Sequence, residues 1–226
     1  DNVFIGDDWS GEKSKLELLQ PLITHRNAGQ IIANRQDRWK VLYTHTMVDG
    51  KKVAYNIDNY PKSKAYLLTH FEQLNARNYV KKANRKWYEI WVPQNPEAWK
   101  HRKIVFRDIS EKPQFWLDDT GAIVNGDCYW IDINQDIVDD VVYLALAVAN
   151  SSFIEKFYDI KFNNKLYSGK RRYQTQYVEQ FPIPYYDSNE AKEAITLVKK
   201  IIAEDTERVS LDDKAKLDSL VEQMFS

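Results

Sequence analysis

The sequence has 226 residues, of which 43% are hydrophobic and 29% charged, and its net charge is -1. This apolar content is enough for a core and excludes an intrinsically disordered chain. No run approaches the ~20 apolar residues of a membrane-spanning helix, and no signal peptide is recognisable, so no membrane partner is expected. The single cysteine, Cys128, excludes an internal disulfide framework and predicts a cytoplasmic location.

Charge is distributed unevenly along the chain. Residues 62–107 contain eleven Lys or Arg and three acidic residues, and residues 161–172 contain five basic residues and no acid. Residues 187–226 reverse this balance, with ten acidic and six basic residues. The distribution predicts a basic face beside an acidic C-terminal appendage. Solvated surface lysines explain the charge alone equally well.

Helix and strand patterns alternate in the first hundred residues. In chain order the predictions are a short helix at residues 14–20 stopped by Pro21, strands at 39–43 and 52–57 with a turn at Asp49-Gly50 between them, and a helix capped by Ser63. In that last helix Leu67, Phe71 and Leu74 keep helical spacing.

The middle of the chain is predicted to be rich in strands. Strands are predicted at residues 87–92, 103–106, 115–117, 122–124 and 128–133, with a turn at 118–121. The hydrophobic period then changes to that of a helix, for which Asp136 is placed as the N-cap. The order of elements predicts the α+β class, as a mixed β-rich domain with flanking helices.

Two apolar stripes at helical spacing end the chain. Their residues are Ala194, Ile195, Val198, Ile201 and Ile202 in the first, and Leu217, Leu220, Val221 and Met224 in the second. Asp187 with Glu190, and Ser210 with Asp213, resemble capping boxes at the two starts. The pattern predicts a helical hairpin at residues 187–226. We expect it to pack on a domain of residues 1–186 or on another part of a parent protein.

Residue types that carry catalysis are not grouped in the sequence. Seven glycines in 226 residues supply no phosphate-binding loop, and the four histidines lack metal-ligand spacing. Cys128 has no neighbour that would activate its thiol. Asp108, Glu111 and Lys112 form only a chance-level match to a nuclease site. We therefore expect no catalytic centre, metal site or cofactor in this chain.

Residues 161–176, called here the basic segment, combine cations with side chains that can form paired hydrogen bonds to base edges. The residues expected mainly to neutralise phosphates are Lys161, Lys165, Lys170 and Arg171. Those expected to contact bases are Asn163, Asn164, Arg172, Gln174 and Gln176. A second contact loop is expected at Arg107, Ser110 and Lys112, where a predicted strand ends. The alternative for the basic segment is a mobile, solvated loop.

Several motifs follow one another in a characteristic order. They are Asn2-Val3-Phe4-Ile5; Leu74 and Arg77 before Lys86-Trp87-Tyr88-Glu89; Lys103-Ile104-Val105-Phe106 before Ile109-Ser110; Phe115 to Asp118 before Gly121; Ala149-Asn150-Ser151-Ser152; and Arg172-Tyr173 before Val178 and Phe181-Pro182-Ile183-Pro184. Their order and spacing resemble the TaqI-like C-terminal specificity domain of adenine-specific DNA methyltransferases and of type II or IIG restriction–modification enzymes. Ala149 stands where the family more often has leucine.

The resemblance implies a bacterial target-recognition domain that binds double-stranded DNA and presents an adenine to a catalytic domain. That domain would lie upstream, bind S-adenosylmethionine and hold the flipped adenine with an Asn-Pro-Pro-Tyr-type motif. Asn95-Pro96-Glu97 lacks the second proline and the aromatic residue, so methyl transfer would belong to the upstream part. Magnesium would be needed only if the parent protein also cleaves DNA. A first residue Asp1, in place of methionine, fits this expectation.

Two other functions are compatible with the sequence. In the first, the chain is a protein-interaction module whose acidic hairpin docks onto a methyltransferase or restriction subunit. In the second, it is a stand-alone nuclease, which would show magnesium-dependent cleavage. Binding of duplex DNA at low salt separates the first alternative from DNA recognition.

Overall fold

The computed structural model describes residues 2–34, 38–204, 206 and 208–226. The strands of this part are β1 (Ile5–Gly6), β2 (Leu19–Ile23), β3 (Lys40–Leu42), β4 (His45–Val48), β5 (Lys51–Ala54), β6 (Lys103–Arg107), β7 (Ile109–Ser110), β8 (Phe115–Asp118), β9 (Ile123–Val124), β10 (Cys128–Asp132) and β11 (Arg171–Arg172). The helices are α1 (Pro61–Thr69), α2 (Phe71–Asn75), α3 (Asn78–Lys82), α4 (Asp139–Ala149), α5 (Ser152–Phe162), α6 (Thr175–Val178), α7 (Asn189–Glu204) and α8 (Leu211–Met224). The α+β class is confirmed.

The chain forms two compact units. Unit 1 comprises Asp1–Ile23, Arg38–His101 and Gly121–Ile123, and unit 2 comprises Thr24–Asp37, Arg102–Thr120 and Val124–Ser226. The C-terminal hairpin belongs to unit 2, because α7 and α8 share one hydrophobic core with α4. The division therefore differs from the expected boundary after residue 186.

Unit 1 contains an antiparallel arrangement in which β3 lies between β1 and β2. A separate hairpin pairs β4 with β5. Its turn is Asp49-Gly50, and both residues have positive φ, 49° and 72°, as a tight two-residue hairpin requires. The turn was predicted correctly. The strand before the turn is His45–Val48, whereas the strand predicted at residues 39–43 is present as β3 and pairs with β1 and β2.

The predicted helix at residues 14–20 is wrong. A short 3-10 helix occupies Gly11–Lys15, and the chain then extends into β2, which contains Pro21. Leu16 and Leu18 are buried while Glu17 between them is exposed. This two-residue alternation is the period of a strand, and over so short a run it competes with the helical reading.

The predicted strand at residues 87–92 is also wrong. The segment has no strand partner among the described residues, although it is rich in aromatic side chains. Arg77 donates to the carbonyl of Trp87, and Arg85 donates to the carbonyls of Ile90 and Trp91. Guanidinium groups thus satisfy backbone acceptors that a neighbouring strand would otherwise satisfy.

Unit 2 is built on a sheet in which β6 lies between β10 and β8, all antiparallel. Strand β6 confirms the prediction at residues 103–106, and Val105 and Phe106 are completely buried. Lys103 is buried as well, and its Nζ lies 2.7 Å from Oδ2 of Asp118 on the neighbouring strand. The pairing neutralises two charges that would be costly to bury alone.

Helices α4, α7 and α8 complete the core of unit 2. The predicted hairpin is confirmed, and Ser210 caps α8 by accepting the N–H of Asp213 at 3.0 Å. At the start of α7 the capping side chain is Ser188, which accepts from Ala191, and not the expected Asp187. Helix α4 begins at Asp139 rather than after a cap at Asp136. No helix in the described part of the chain has the length and apolarity needed to cross a membrane.

Candidate nucleic-acid interface

A two-residue ladder joins the two stretches that were predicted to contact DNA. Ile109 of β7 lies opposite Arg172 of β11, and Ser110 lies opposite Arg171. The N–H of Tyr173 donates to the carbonyl of Asp108 at 2.7 Å and extends the pairing by one step. Backbone hydrogen bonds therefore hold the basic segment against the loop that follows β6.

The side chain of Arg171 anchors this ladder from inside unit 2. It is only 9% exposed, and it donates from Nε and Nη2 to the two carboxylate oxygens of Asp159 at 2.6 and 2.7 Å. Its Nη2 also lies 2.9 Å from Glu155, and its Nη1 donates to the carbonyl of Glu111. The hydrogen bonds with Asp159 raise the pKa of the guanidinium and lower that of the carboxyl. Since its donors are occupied, we leave Arg171 out of the proposed contacts.

Beside the ladder lies an open pocket of about 290 Å³, called here the cationic pocket. Its lining residues are Arg107, Ile109, Ser110, Glu111, Lys112, Gln114 and Lys170. Four of the twelve predicted contact residues thus surround one space. The hydroxyl of Ser110 donates to the carbonyl of Lys112 at 2.7 Å and fixes the turn between β7 and β8.

The three cations of the pocket differ from the other basic residues nearby. Within the described part of the chain, Arg107, Lys112 and Lys170 have no carboxylate at ion-pair distance. In contrast, Lys165 pairs with Asp159 at 2.9 Å, and Arg172 pairs with Asp108 at 3.1 Å. Unpaired cations around a concave surface favour binding of an anion such as phosphate.

Arg172 remains accessible in spite of its pairing. Its side chain is 46% exposed, and hydrogen bonding to Asp108 raises the pKa of its guanidinium. Asp108 is only 14% exposed, so solvent reaches the pair mainly from the side of Arg172. Asp108 therefore orients the guanidinium without enclosing it.

The N-terminal residues of the basic segment occupy different environments. Lys161 is exposed, with its Nζ over the rings of Phe157 and Phe162 at 5.2 and 5.4 Å. Asn163 is exposed and ends α5 in the left-handed conformation, at φ 45°. Asn164 is half-buried, and its amide donates to the carbonyl of Arg172 at 3.2 Å. Of the two amides, Asn163 is thus the better placed to meet a ligand.

The C-terminal residues of the basic segment lead into α6. Gln174 is half-buried at the start of that helix, and Gln176 is exposed on it. Neither lines the cationic pocket. The structure therefore joins the two predicted stretches through Arg107, Ser110, Lys112, Lys170 and the ladder, and leaves these glutamines outside the pocket.

Sequence reasoning missed Gln114, which follows the turn after β7 and lines the cationic pocket. In the described part of the chain its side-chain amide forms no hydrogen bond. An amide in this loop can bind base edges as those of the basic segment can. Its proximity to Lys112 in a loop already predicted to contact DNA was the available signal.

Two of the three residues with a chance-level match to a nuclease site accept hydrogen bonds from arginines. Asp108 accepts from Arg172, and the carbonyl of Glu111 accepts from Arg171. Across the described residues, no three His, Cys, Asp or Glu side chains are grouped in a way that could hold a metal ion.

Comparison with known proteins places this chain. The family described as "TaqI-like C-terminal specificity domain" matches residues 45–183. The chain is 41% identical over 207 residues to type II methyltransferase M.BanIII of Aneurinibacillus aneurinilyticus, covering 89% of this chain and 36% of that protein. It is 24% identical to type II methyltransferase M.BstVI of Geobacillus stearothermophilus, covering 92% and 34%. It thus spans about a third of these relatives.

Structural comparison agrees on the fold. The solved structure of the type IIL restriction-modification enzyme MmeI in complex with DNA matches with a TM-score of 0.60 and 13% sequence identity. The match covers 99% of this chain and 31% of that one. On the sequence match over residues 45–183 and the identity to M.BanIII, the chain belongs to the family of TaqI-like C-terminal specificity domains.

Proposed function

We propose that this chain reads the sequence of double-stranded DNA for a restriction–modification methyltransferase. The observation that carries the proposal is the cationic pocket, where Arg107, Lys112 and Lys170 meet beside a backbone ladder without carboxylate partners in the described residues. Membership of a specificity-domain family and the methyltransferase names of its relatives support the same function.

The surroundings of the side chains suggest a division of work. Arg107, Lys112 and Lys170 neutralise phosphates and fix the position of the duplex, which carries no sequence information by itself. Arg172, oriented by Asp108, reaches a base edge, because a guanidinium can form two hydrogen bonds to guanine. Other base contacts come from Asn163, Gln114, Gln174 and Gln176, whose side chains are exposed or half-buried. Lys161 and Lys165 add phosphate contacts at the edge of this surface.

Catalysis is assigned to parts of the parent protein outside this chain. There S-adenosylmethionine would be bound and an adenine methylated, and magnesium would be needed if the parent also cleaves DNA. The role of the chain is to position the duplex for that step. A cytoplasmic location would give it access to DNA.

The test is the salt dependence of duplex binding by the chain. Replacing Arg107, Lys112 and Lys170 by alanine removes three phosphate contacts, so the slope of log affinity against log salt should become shallower by about 2 to 3. Fluorescence anisotropy with duplexes of about 30 base pairs measures this slope.

The matched control replaces three exposed lysines of unit 2 that lie outside the pocket, Lys156, Lys192 and Lys216. The same change in net charge should leave the slope unchanged. An equal loss in both triple variants would show that overall charge, and not the pocket, binds DNA. Absence of binding by the unmodified chain at any salt would overturn the proposal in favour of a protein-interaction module.

A further inference from the structure

Tyr167 presents its ring to solvent in the middle of the basic segment. The residue is 84% exposed and lies in the short 3-10 turn Tyr167–Gly169. Its neighbours in the segment include Lys165 and Lys170, and Lys170 lines the cationic pocket. An exposed aromatic ring among cations is suited to a ligand that is both anionic and aromatic.

The turn that carries Tyr167 is the closed tip of a small hairpin. The N–H of Leu166 donates to the carbonyl of Lys170 at 2.7 Å, and Lys165 and Arg171 form a bridge below it. Ser168 and Gly169 follow with positive φ, 59° and 70°, which reverses the chain. The backbone on both sides of the tyrosine is therefore defined.

The base of this hairpin is fixed to unit 2 by Arg171. One side chain joins Asp159 and Glu155 of α5 to the carbonyls of Glu111 and Gly169, the last at 3.4 Å. Tyr167 is thus an exposed residue on a turn whose base is fixed to unit 2. Preorganisation of this kind reduces the conformational entropy lost when the ring is bound.

We propose that Tyr167 is an aromatic wedge that stacks against the bases of the bound duplex while Lys165 and Lys170 hold the flanking phosphates. This inference rests on the proposed function. A base stacks on an aromatic face whatever its identity, and wedges inserted at a base step partly unstack it. The wedge therefore fixes the position of one base step against the side chains that read the sequence.

The experiment compares Tyr167→Ala, Tyr167→Phe and a matched control, Tyr185→Ala. Tyr185 is 87% exposed and lies in unit 2 outside the basic segment. Duplexes retained by the unmodified chain from a randomised pool are sequenced, and the preferred duplex is then used with all variants. A set of these duplexes carries 2-aminopurine at successive positions, since its fluorescence changes when base stacking is altered.

Tyr167→Ala should weaken binding about 5- to 150-fold, the range expected for loss of one stacked base. The salt slope should stay unchanged, because tyrosine carries no charge. Tyr167→Phe and Tyr185→Ala should bind as the unmodified chain does. A 2-aminopurine signal at one step should appear with the unmodified chain and Tyr167→Phe, and be absent with Tyr167→Ala.

The wedge is overturned if Tyr167→Ala binds as tightly as the unmodified chain. It is equally overturned if Tyr167→Phe loses as much as Tyr167→Ala, which would identify a hydrogen bond from the hydroxyl. In both cases binding by the unmodified chain would leave the proposed function standing. A chain that binds no duplex would refute both.

Discussion

Arg171 and Arg172 are adjacent in sequence, but their guanidinium groups have opposite surroundings. Neighbouring side chains of a strand point to opposite faces. Arg171 therefore turns inward to Asp159 and Glu155, and Arg172 turns outward beside Asp108. The run of cations at residues 170–172 indicated an anionic ligand. It could not show which of these cations forms an internal ion pair, because both acidic partners of Arg171 come from α5.

This difference predicts opposite outcomes for two alanine variants. Arg171→Ala leaves buried hydrogen-bonding groups unpaired and should lower the free energy of unfolding by about 2–4 kcal/mol, somewhat below the usual cost of breaking a buried pair because the carboxylates are partly exposed. Arg172→Ala should leave the urea midpoint almost unchanged. It should instead reduce discrimination at one base pair, by about 5- to 150-fold. Urea denaturation and binding to a panel of single-base variants measure the two effects.

Two results would contradict this assignment. If Arg171→Ala kept its stability but lost DNA binding, its role as the internal anchor would be wrong. If Arg172→Ala weakened binding to every duplex equally, Arg172 would be a phosphate contact and not a reader of sequence.

Helix α1 shows why only some of the helix and strand boundaries could be predicted from local sequence. Ser63 was predicted to cap this helix, but the helix begins at Pro61, and the first-turn N–H groups of Lys62 and Ser63 are satisfied by Glu17 at 3.0 and 2.8 Å. The hydroxyl of Ser63 donates to the same carboxylate at 2.8 Å. A cap supplied by a residue distant in sequence cannot be recognised from the residues around the start of the helix. The strand predicted at residues 87–92 failed for a different reason, because Arg77 and Arg85, which are near in sequence, bind its carbonyls in place of a neighbouring strand.

The capping carboxylate predicts a pH dependence of stability. Desolvation raises the pKa of Glu17, but the hydrogen bonds from Lys62 and Ser63 outweigh it and lower the pKa to about 2 from 4.5. A pKa depressed in the folded state stabilises the fold above about pH 4.5, and this contribution is lost as the pH falls toward 2. Because Glu17 is exposed, we expect its charge to contribute about 1 kcal/mol to the free energy of unfolding.

The test is urea denaturation of Glu17→Gln and of the unmodified chain between about pH 7 and pH 3. The difference in unfolding free energy should be largest near neutrality and shrink below about pH 4.5. Glu12→Gln is the control, since Glu12 lies in the preceding 3-10 helix and, among the described residues, pairs only with exposed Lys15. A difference that stays constant over this range would rule out the charge of Glu17 as the cause.

At the scale of the whole molecule, the sequence predicted the elements better than their grouping. The hairpin of α7 and α8 followed from its two apolar stripes, and β6 from its run of β-branched and aromatic residues. The division into two units did not follow from the sequence pattern, because the chain passes from one unit to the other several times. Such crossings depend on which strands pair at long range. The two stretches expected to contact DNA lie side by side, but the ladder that joins them was not predicted.

The shared core of unit 2 predicts that the hairpin contributes to its stability. Leu217 of α8 is 5% exposed and lies in the core, whereas Leu211 at the start of the same helix is 85% exposed. Leu217→Ala should lower the free energy of unfolding by about 2–5 kcal/mol, and Leu211→Ala should have little effect. Urea denaturation of both variants makes the comparison. Equal, small effects would show that the hairpin is an independent appendage.

The ladder between β7 and β11 also bears on how a new target preference can arise. Each strand completes the other, and Arg171 is held by the carbonyl of Glu111 from the opposite stretch. If one recognition loop were transplanted from a relative, the strand that pairs with it in that relative would be missing. Successful grafts should therefore exchange residues 107–112 and 161–176 together, so that the two paired stretches come from the same relative.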